Sequence, residues 1–534
     1  MSRGKPKPSQ TAAKLQTPNI EWTRCEILTL CLILLISFLV RWPFRTVTFV
    51  RDEGEYAHLG QEILRGSVPY RDVYNQKTPF VFVFFAAVQA ALGPSVVALR
   101  IATTLYGLAT TVVLYAVARM LFGWRAAVGT AIAFAVMTFD QCGIIHQSST
   151  EFFLLLWMSV CLWCWYRGRE MGKSWLLLCA GIAAGVGYLT KQTGSVLLIF
   201  LIVESIWNQI RNQGAQQSWS IAFRESGLAV AGFAISQAIV LAYFASNQAI
   251  PAYLECTWWN NFAYIGRRHR SATQIIHVLE LAITHVARCD ILLWLWGGSA
   301  IIALALSGRR LRGNGLWILF LGTAGAALST GSGYVHYFEP MIVPFALGNG
   351  LAMAWLWQSA ARPGREIRQR AALALVAAAP WIWPGVNIVN SLLSADTDLM
   401  SGMFPQFAAA QGVAQYINAN PQTEPNEPIL VVGSEPEIYY FSERPACTRL
   451  VITYPLTGPY PYAPRLLEEF INDFQNRKPR YVVFCRDIGS RTEWPILLHR
   501  LDDPVGRILK ASYKLEPPKA YTEGEPLFLV YVRR

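Results

Sequence analysis

Five short stretches of the chain hold residues whose types and spacing could do chemistry. The first, RDEGEYAHLGQEILRGSVPYRDVYNQKTPF (51–80), sets Asp52, Glu53 and Glu55 just beyond a long apolar run and follows them with Lys77. A carboxylate can take a proton from an attacking hydroxyl, and a lysine can meet an anion as a point charge. The second, DQCGIIHQSSTEFF (140–153), offers Asp140, His146 and Glu151. The third, GYLTKQTG (187–194), isolates Lys191 between two apolar segments. YIGRRHRS (264–271) clusters Arg267, Arg268, His269 and Arg270, and GYVHYFEP (333–340) places His336 at the end of another apolar run. Each has a plainer reading. The acids form an ordinary solvated loop, Glu151 caps a helix start, the lysines snorkel at an interface, the arginines touch anionic lipid heads, and the histidine is a packing residue.

The elements that must position these residues are membrane helices. The 534 residues are 53% hydrophobic and 15% charged, against about 25% charged in soluble domains. Apolar stretches of about 17 to 25 residues recur, each able to cross the roughly 30 Å hydrocarbon layer as a helix. The formal charge of +12 reflects Lys and Arg in short cytoplasmic loops, as in basic polytopic proteins generally, and no nucleic acid partner is expected. The basic N-terminus (1–24), with Arg3, Lys5, Lys7 and Lys14, precedes an apolar run that lacks a small-residue cleavage site, so it reads as an uncleaved first helix.

Spans are expected over 25–43, 97–119, 125–142, 151–167, 175–190, 193–210, 227–246, 288–306, 314–330, 337–358 and 371–390, eleven in all. One further apolar stretch, Pro79 to Leu92, decides the topology, because at about 1.5 Å per residue it falls short of the bilayer core. If it lies along the interface, nineteen Lys and Arg residues fall on the cytoplasmic side; if it crosses, fourteen of them move outside, against the positive-inside tendency. The interfacial arrangement is therefore expected. It puts loop 44–96, the 143–150 and 247–287 loops and everything after 391 outside, and within the first loop 52–65 forms a short helix with Tyr56, Leu59, Ile63 and Leu64 on one side. Lys191 and the 267–270 cluster then break the charge bias, and such charges need a reason.

The tail from 395 to 534 changes character. PILVVG (428–433), RYVVFC (480–485) and LFLVYV (527–532) read as strands and Arg465 to Asn476 as an amphipathic helix, giving a small extracytoplasmic α/β domain behind a transmembrane domain of 25–394. Cys447 and Cys485 could pair there. The other cysteines give no zinc or disulfide pattern.

The acidic pair after the first span, Tyr56, the YxxKxP pattern of Tyr74, Lys77 and Pro79, and the short apolar helix that follows resemble the GT-C membrane glycosyltransferases, nearest to the protein O-mannosyltransferases and aminoarabinose lipid A transferases. The resemblance implies a polytopic α-helical GT-C fold of about eleven transmembrane helices with a small C-terminal α/β extracytoplasmic domain. It also implies sugar transfer from a polyprenyl phosphate-linked donor to a lipid, glycan or protein acceptor, with inversion, at the outer face of the cell (inner) membrane. Asp52 matches the family's acidic position as general base, with Glu53 sharing or orienting that role. Tyr56, Tyr74, Lys77, Lys191, Arg268 and His336 match donor-binding positions. Glu151, with Asp140 in reserve, matches a second acid. If a divalent metal ion is used as cofactor, Asp52 and Glu151 would hold it. Glu55 departs from the aminoarabinose enzymes, which tend to carry a basic residue there, and Gln192 and Thr193 depart from a Gly-Pro seen in some relatives. A polytopic transporter or lipid flippase is the rival from another class; such proteins show internal repeats and broken helices at mid-membrane depth, and neither stands out here.

Overall fold

The structure is a computed structural model. It describes residues 22–139, 148–211, 218–266, 273, 276–277, 279–281, 283–284, 290–307, 313–330, 334–393, 405–421, 424, 426–457, 460–485, 498–517 and 527–534. In chain order the longer helices of its first part are α1 (Arg24–Arg41), α2 (Arg51–Leu64), α3 (Phe80–Leu92), α4 (Val96–Phe122), α5 (Trp124–Met137), α6 (Thr150–Met171), α7 (Ser174–Thr190), α8 (Val196–Arg211), α9 (Trp219–Ser246), α10 (Ile291–Leu306), α11 (Leu316–Ser329), α12 (Ile342–Ala360) and α13 (Ile367–Leu393). Apart from α2 and α3, each falls on a stretch expected to span. Among the described residues, six segments are long and apolar enough to cross a membrane, namely Arg24–Thr46, Val96–Phe122, Gln192–Arg211, Trp219–Ser246, Val335–Ala360 and Ile367–Leu393. Helix α1 turns Leu28, Leu32, Leu35 and Leu39 outward, and α13 does the same with Leu375, Ile382 and Val389. A helix in contact with lipid tails must present such a face.

Helix α3 has 13 residues and so reaches only about 20 Å, too short to cross. It packs beneath α2, with Tyr56 against Phe82 and Phe85 and the Gln89 amide donating to the Ala57 carbonyl at 3.0 Å. Helix α2 departs from the half-exposed interfacial segment expected of it. It is buried continuously from Glu53 to Glu62, while Leu64 is exposed. The reason is a second cover on its other side, α15 (Glu437–Ser442) of the tail. A Cβ on Gly54 would stand 2.6 Å from the Glu437 Cβ, so only glycine permits this approach.

The tail forms a four-stranded sheet of order β1-β2-β4-β3, with β1 (Leu430–Val432) parallel to β2 (Tyr481–Cys485) and β4 (Phe528–Arg533) antiparallel to both β2 and β3 (Tyr513–Leu515). Helices α14 (Pro405–Ala419), α16 (Ala463–Arg477) and α17 (Leu498–Ser512) accompany it. Three strands and α16 coincide with the sequence reading; β3, three residues directly after α17, carries too short a pattern to find. One apolar core runs from Phe49, Tyr56, Tyr70 and Phe82 through Ile429, Tyr439, Phe470 and Val483. The 44–96 loop and the sheet therefore pack as one body on the helix bundle. Cys447 and Cys485 are both buried thiols, and the contemplated disulfide is not formed.

Candidate active site

The start of α2 is fixed by a buried ion pair. Arg100 of α4 grips Glu53 with both guanidinium nitrogens, Nη2 to Oε2 at 2.6 Å and Nη1 to Oε1, and both side chains are almost fully buried. The same guanidinium donates to the Thr48 carbonyl at 2.9 Å and the Val47 carbonyl at 3.3 Å, while the Val50 N–H donates to Glu53 at 3.2 Å. Glu53 is thus occupied in holding the α1–α2 connection to α4. Both of its carboxylate oxygens are taken up by Arg100.

Asp52 lies one residue earlier, rotated about 100° around the helix, and is half-exposed. Its Oδ2 takes the Lys77 Nζ at 3.2 Å and, more loosely, the Tyr56 hydroxyl at 3.4 Å. Lys77 is fixed through its backbone: its N–H donates to Asn75 Oδ1 at 2.8 Å and its carbonyl accepts from the Tyr70 hydroxyl at 2.8 Å. The residue before it is a hub. The Gln76 amide donates to the Tyr74 and Tyr462 hydroxyls at 3.1 Å each and accepts from the Tyr454 hydroxyl at 3.0 Å. The Gln76 carbonyl accepts from Asn261 at 2.7 Å and Gln192 at 2.9 Å. Tyr74, expected along the donor site, is instead fully buried in this seam. Its hydroxyl also accepts from Asn260 at 3.2 Å, and its N–H donates to the Arg449 carbonyl at 2.8 Å.

A second acid and lysine join from the bundle. Ser149 is the N-cap of α6, its hydroxyl accepting from the Phe152 N–H at 2.9 Å. Capping is thereby assigned to Ser149, and the buried Glu151 turns to Lys191, with the Thr150 hydroxyl donating to its other oxygen at 2.7 Å. Lys191 sits in the extended break between α7 and the Gln192–Ser195 turn that leads into α8; a Cβ on Gly194 would meet the Gly187 carbonyl at 2.3 Å, so the reversal requires glycine. The Lys191 ammonium lies 4.1 Å from the centroid of the Tyr337 ring, a cation–π contact. His336 Nε2 is 3.8 Å from Glu151, and Glu339 accepts from the Ser149 hydroxyl at 2.6 Å.

These groups act on one another electrically. Burial would push the Lys77 ammonium down, but Asp52, and behind it Tyr56, outweigh that and hold it well above the usual lysine range. Lys191 moves the other way, lowered by burial and by the Lys77 charge. Two ammoniums close enough to disfavour each other are stabilised by any anion set between them. Glu55 is buried, and burial together with the Asp52 charge raises its pKa to about 8. Asp52 and Glu151 each face an ammonium, Lys77 and Lys191 respectively. Among the described residues no three His, Cys, Asp or Glu side chains gather as a metal site.

The structure thus brings together Asp52, Tyr56, Lys77, Glu151, Lys191 and His336, sets Glu53 behind them and moves Tyr74 into the seam. Arg268 with its cluster, Asp140 and His146 lie outside the described residues. Sequence reasoning missed Arg100, Gln76, Tyr337 and Glu339. Glu339 was within reach as a charge three residues after His336 at the same helix end; an amide beside a lysine gives no comparable signal.

The profile of the family described as dolichyl-phosphate-mannose-protein mannosyltransferase matches residues 77–245. No curated protein matches the sequence. Among solved structures, ArnT from Cupriavidus metallidurans bound to undecaprenyl phosphate superposes with a TM-score of 0.60 at 16% identity, covering 96% of this chain and 98% of that one. AglB, an archaeal oligosaccharyltransferase from Archaeoglobus fulgidus in complex with an inhibitory peptide and a dolichol-phosphate, superposes with a TM-score of 0.53 at 14% identity, covering 95% and 75%. The chain has the GT-C fold of these membrane proteins.

Proposed function

With the GT-C fold as its frame, we propose that the chain transfers a sugar from a polyprenyl phosphate-linked donor to a hydroxyl of a lipid, glycan or protein acceptor on the extracytoplasmic face of the cell membrane. The observation that carries this reading is the convergence of one half-exposed carboxylate, Asp52, with two lysines, the partly buried Lys77 and the buried Lys191. Glycosyl transfer from a phosphate ester needs that combination. The acceptor oxygen attacks the anomeric carbon as its proton passes to Asp52, and the bond from that carbon to the phosphate oxygen breaks on the opposite face, inverting the centre. The departing polyprenyl phosphate gains a negative charge, which the two ammoniums neutralise.

The pairing of Asp52 with Lys77 gives the sequence an order. While the ion pair is intact Asp52 is a weak base, because the ammonium stabilises its ionised form. A donor phosphate competes for that ammonium and leaves the carboxylate freer to accept a proton. Glu151, His336 and the Tyr337 ring position Lys191, and Tyr56 steadies Asp52. Charge neutralisation by the two lysines, without a divalent ion, is part of the proposal. The likeness to proteins whose structures hold undecaprenyl phosphate and dolichol-phosphate supports the lipid-linked donor.

The experiment is product analysis. Vesicles holding the purified chain are given a radiolabelled polyprenyl phosphate sugar and membrane extract as acceptor. A new glycosidic bond, lost in the Asp52→Asn variant, supports the reading; movement of label across the vesicle with no new bond indicates a transporter instead. Mass spectrometry of glycolipids and glycoproteins from a deletion strain then identifies the acceptor.

A further inference from the structure

A cavity lies between α2 and the sheet domain, away from the Asp52 cluster. It encloses about 290 Å³ and is closed by His58 and Glu62 of α2, the Arg71–Val73 turn, the 446–449 segment and α16. That volume is at the lower edge of the roughly 300–1,000 Å³ of small-molecule pockets. Val73 and Ala446 are its only apolar lining residues, so it offers an acyl chain little to bury against.

Most of its charges are spent on each other. Arg71 binds Asp72 at 2.8 Å, Arg449 binds Glu469 at 3.0 Å, and Glu62 holds Arg65 and the Ser67 hydroxyl, the latter at 2.9 Å. A free cation or anion entering here would meet countercharge that is already matched. What remains unspent is a balanced set of donors and acceptors. His58 is fully buried, its ring stacked on Tyr439, and neither ring nitrogen makes a well-formed hydrogen bond, although the Gln61 side chain lies near enough to act on it. Burial lowers its pKa to about 4, so it presents one donor and one acceptor. Asp473 and Arg477, one turn apart on α16, make no ion pair among the described residues. A buried imidazole left without partners is costly unless something fills them.

We propose that this cavity is a subsite for the hydroxyl groups of a neutral carbohydrate. Each sugar hydroxyl both donates and accepts, which is what His58, Asp473 and Arg477 together leave open. His58 stands six residues after Asp52, about 9 Å of rise along α2 and on a different face of it, so an extended acceptor glycan whose reacting hydroxyl reaches Asp52 would seat a more distant sugar unit here. Its identification as part of an acceptor, but not the cavity's chemistry, rests on the glycosyltransferase reading.

The test uses the full chain in lipid nanodiscs, with maltose and mannobiose as neutral probes, a sugar phosphate as the charged one, and saturation-transfer NMR as the readout. Asp473→Asn combined with Arg477→Gln alters only half-buried and exposed positions of α16, and His58→Phe keeps the stacked ring while removing its nitrogens. The expected result is saccharide binding to the native chain that weakens at least tenfold in the double variant and in His58→Phe. Equal binding in native and double-variant chains, preference for the sugar phosphate, or no saccharide signal would each overturn the subsite. The native chain is titrated in parallel with undecaprenyl phosphate: binding of that lipid with no saccharide signal overturns the subsite alone, and binding of neither overturns the donor reading as well.

Discussion

The Lys77 ammonium stands 3.2 Å from the Asp52 carboxylate although the two belong to different elements, one opening α2 and the other closing the loop before α3. The pairing holds the lysine charged, and in the proposed reaction an arriving phosphate draws that lysine from the acid.

Lys77→Met should lower the transfer rate by roughly 10²–10³-fold, the range seen when a preorganised charge-stabilising donor is removed. Lys77→Arg should recover only part of it, because the planar guanidinium cannot replace a compact point charge at the same place. Steady-state rates with a radiolabelled donor provide the check; equal rates in the native and Met chains would remove Lys77 from the site.

Gln76→Ala breaks the contacts that tie the lysine loop to Tyr454 and Tyr462 of the sheet domain. The loosened backbone should lower kcat by about 10-fold or more, in line with the 1–3 kcal/mol cost of leaving a buried partner unsatisfied, while KM for the acceptor changes less than about threefold. A purely structural role would instead lower the yield of folded protein and leave kcat per folded molecule intact.

Glu53→Gln leaves Arg100 buried without its counter-charge, a change that costs about 3–5 kcal/mol in buried pairs. Thermal unfolding should show the loss, and replacing Arg100 by Met as well should restore part of it. Since Glu53 is paired with Arg100 and takes no proton in the proposed reaction, the folded fraction of Glu53→Gln should keep transfer within about tenfold of native.

Glu55 gives the chain a pH dependence of defined sign. Its folded-state pKa of about 8 lies above its ordinary value of 4.5, so the folded chain keeps a proton that the unfolded chain has lost. Stability should therefore fall as pH rises from about 4.5 to about 8, by at most roughly 1.4 kcal/mol per pH unit, and level off above that. Glu55→Gln should flatten the slope in unfolding midpoints measured across this range; an unchanged slope would assign it to another group.

Much of this was legible in the sequence because the bilayer leaves few options. Apolar stretches of spanning length must be helices, and the short length of Pro79 to Leu92 together with the distribution of Lys and Arg argued that it does not cross. Asp52, Lys77, Glu151 and Lys191 stood out as charges beside apolar runs, and the structure brings them together. What could not be read was which side chains answer each other across the chain. Glu53 and Asp52 are neighbours of one type, yet only the position of Arg100, 47 residues on, makes one a strut and leaves the other exposed. Tyr74 fits a donor-site pattern by spacing, and only the sheet domain folding over the loop turns it inward. Helix α2 looked half-exposed because nothing in its own residues announces that α15 covers its second face.

The central claim is that Asp52 takes the acceptor's proton, and it is met most directly by one comparison: sugar transfer from a radiolabelled polyprenyl phosphate donor by native and Asp52→Asn chains, each shown by thermal unfolding to be folded. The account predicts a loss of roughly 10²–10⁴-fold, the usual contribution of a positioned general base, with donor binding retained. Transfer at the native rate by the Asn chain would contradict it.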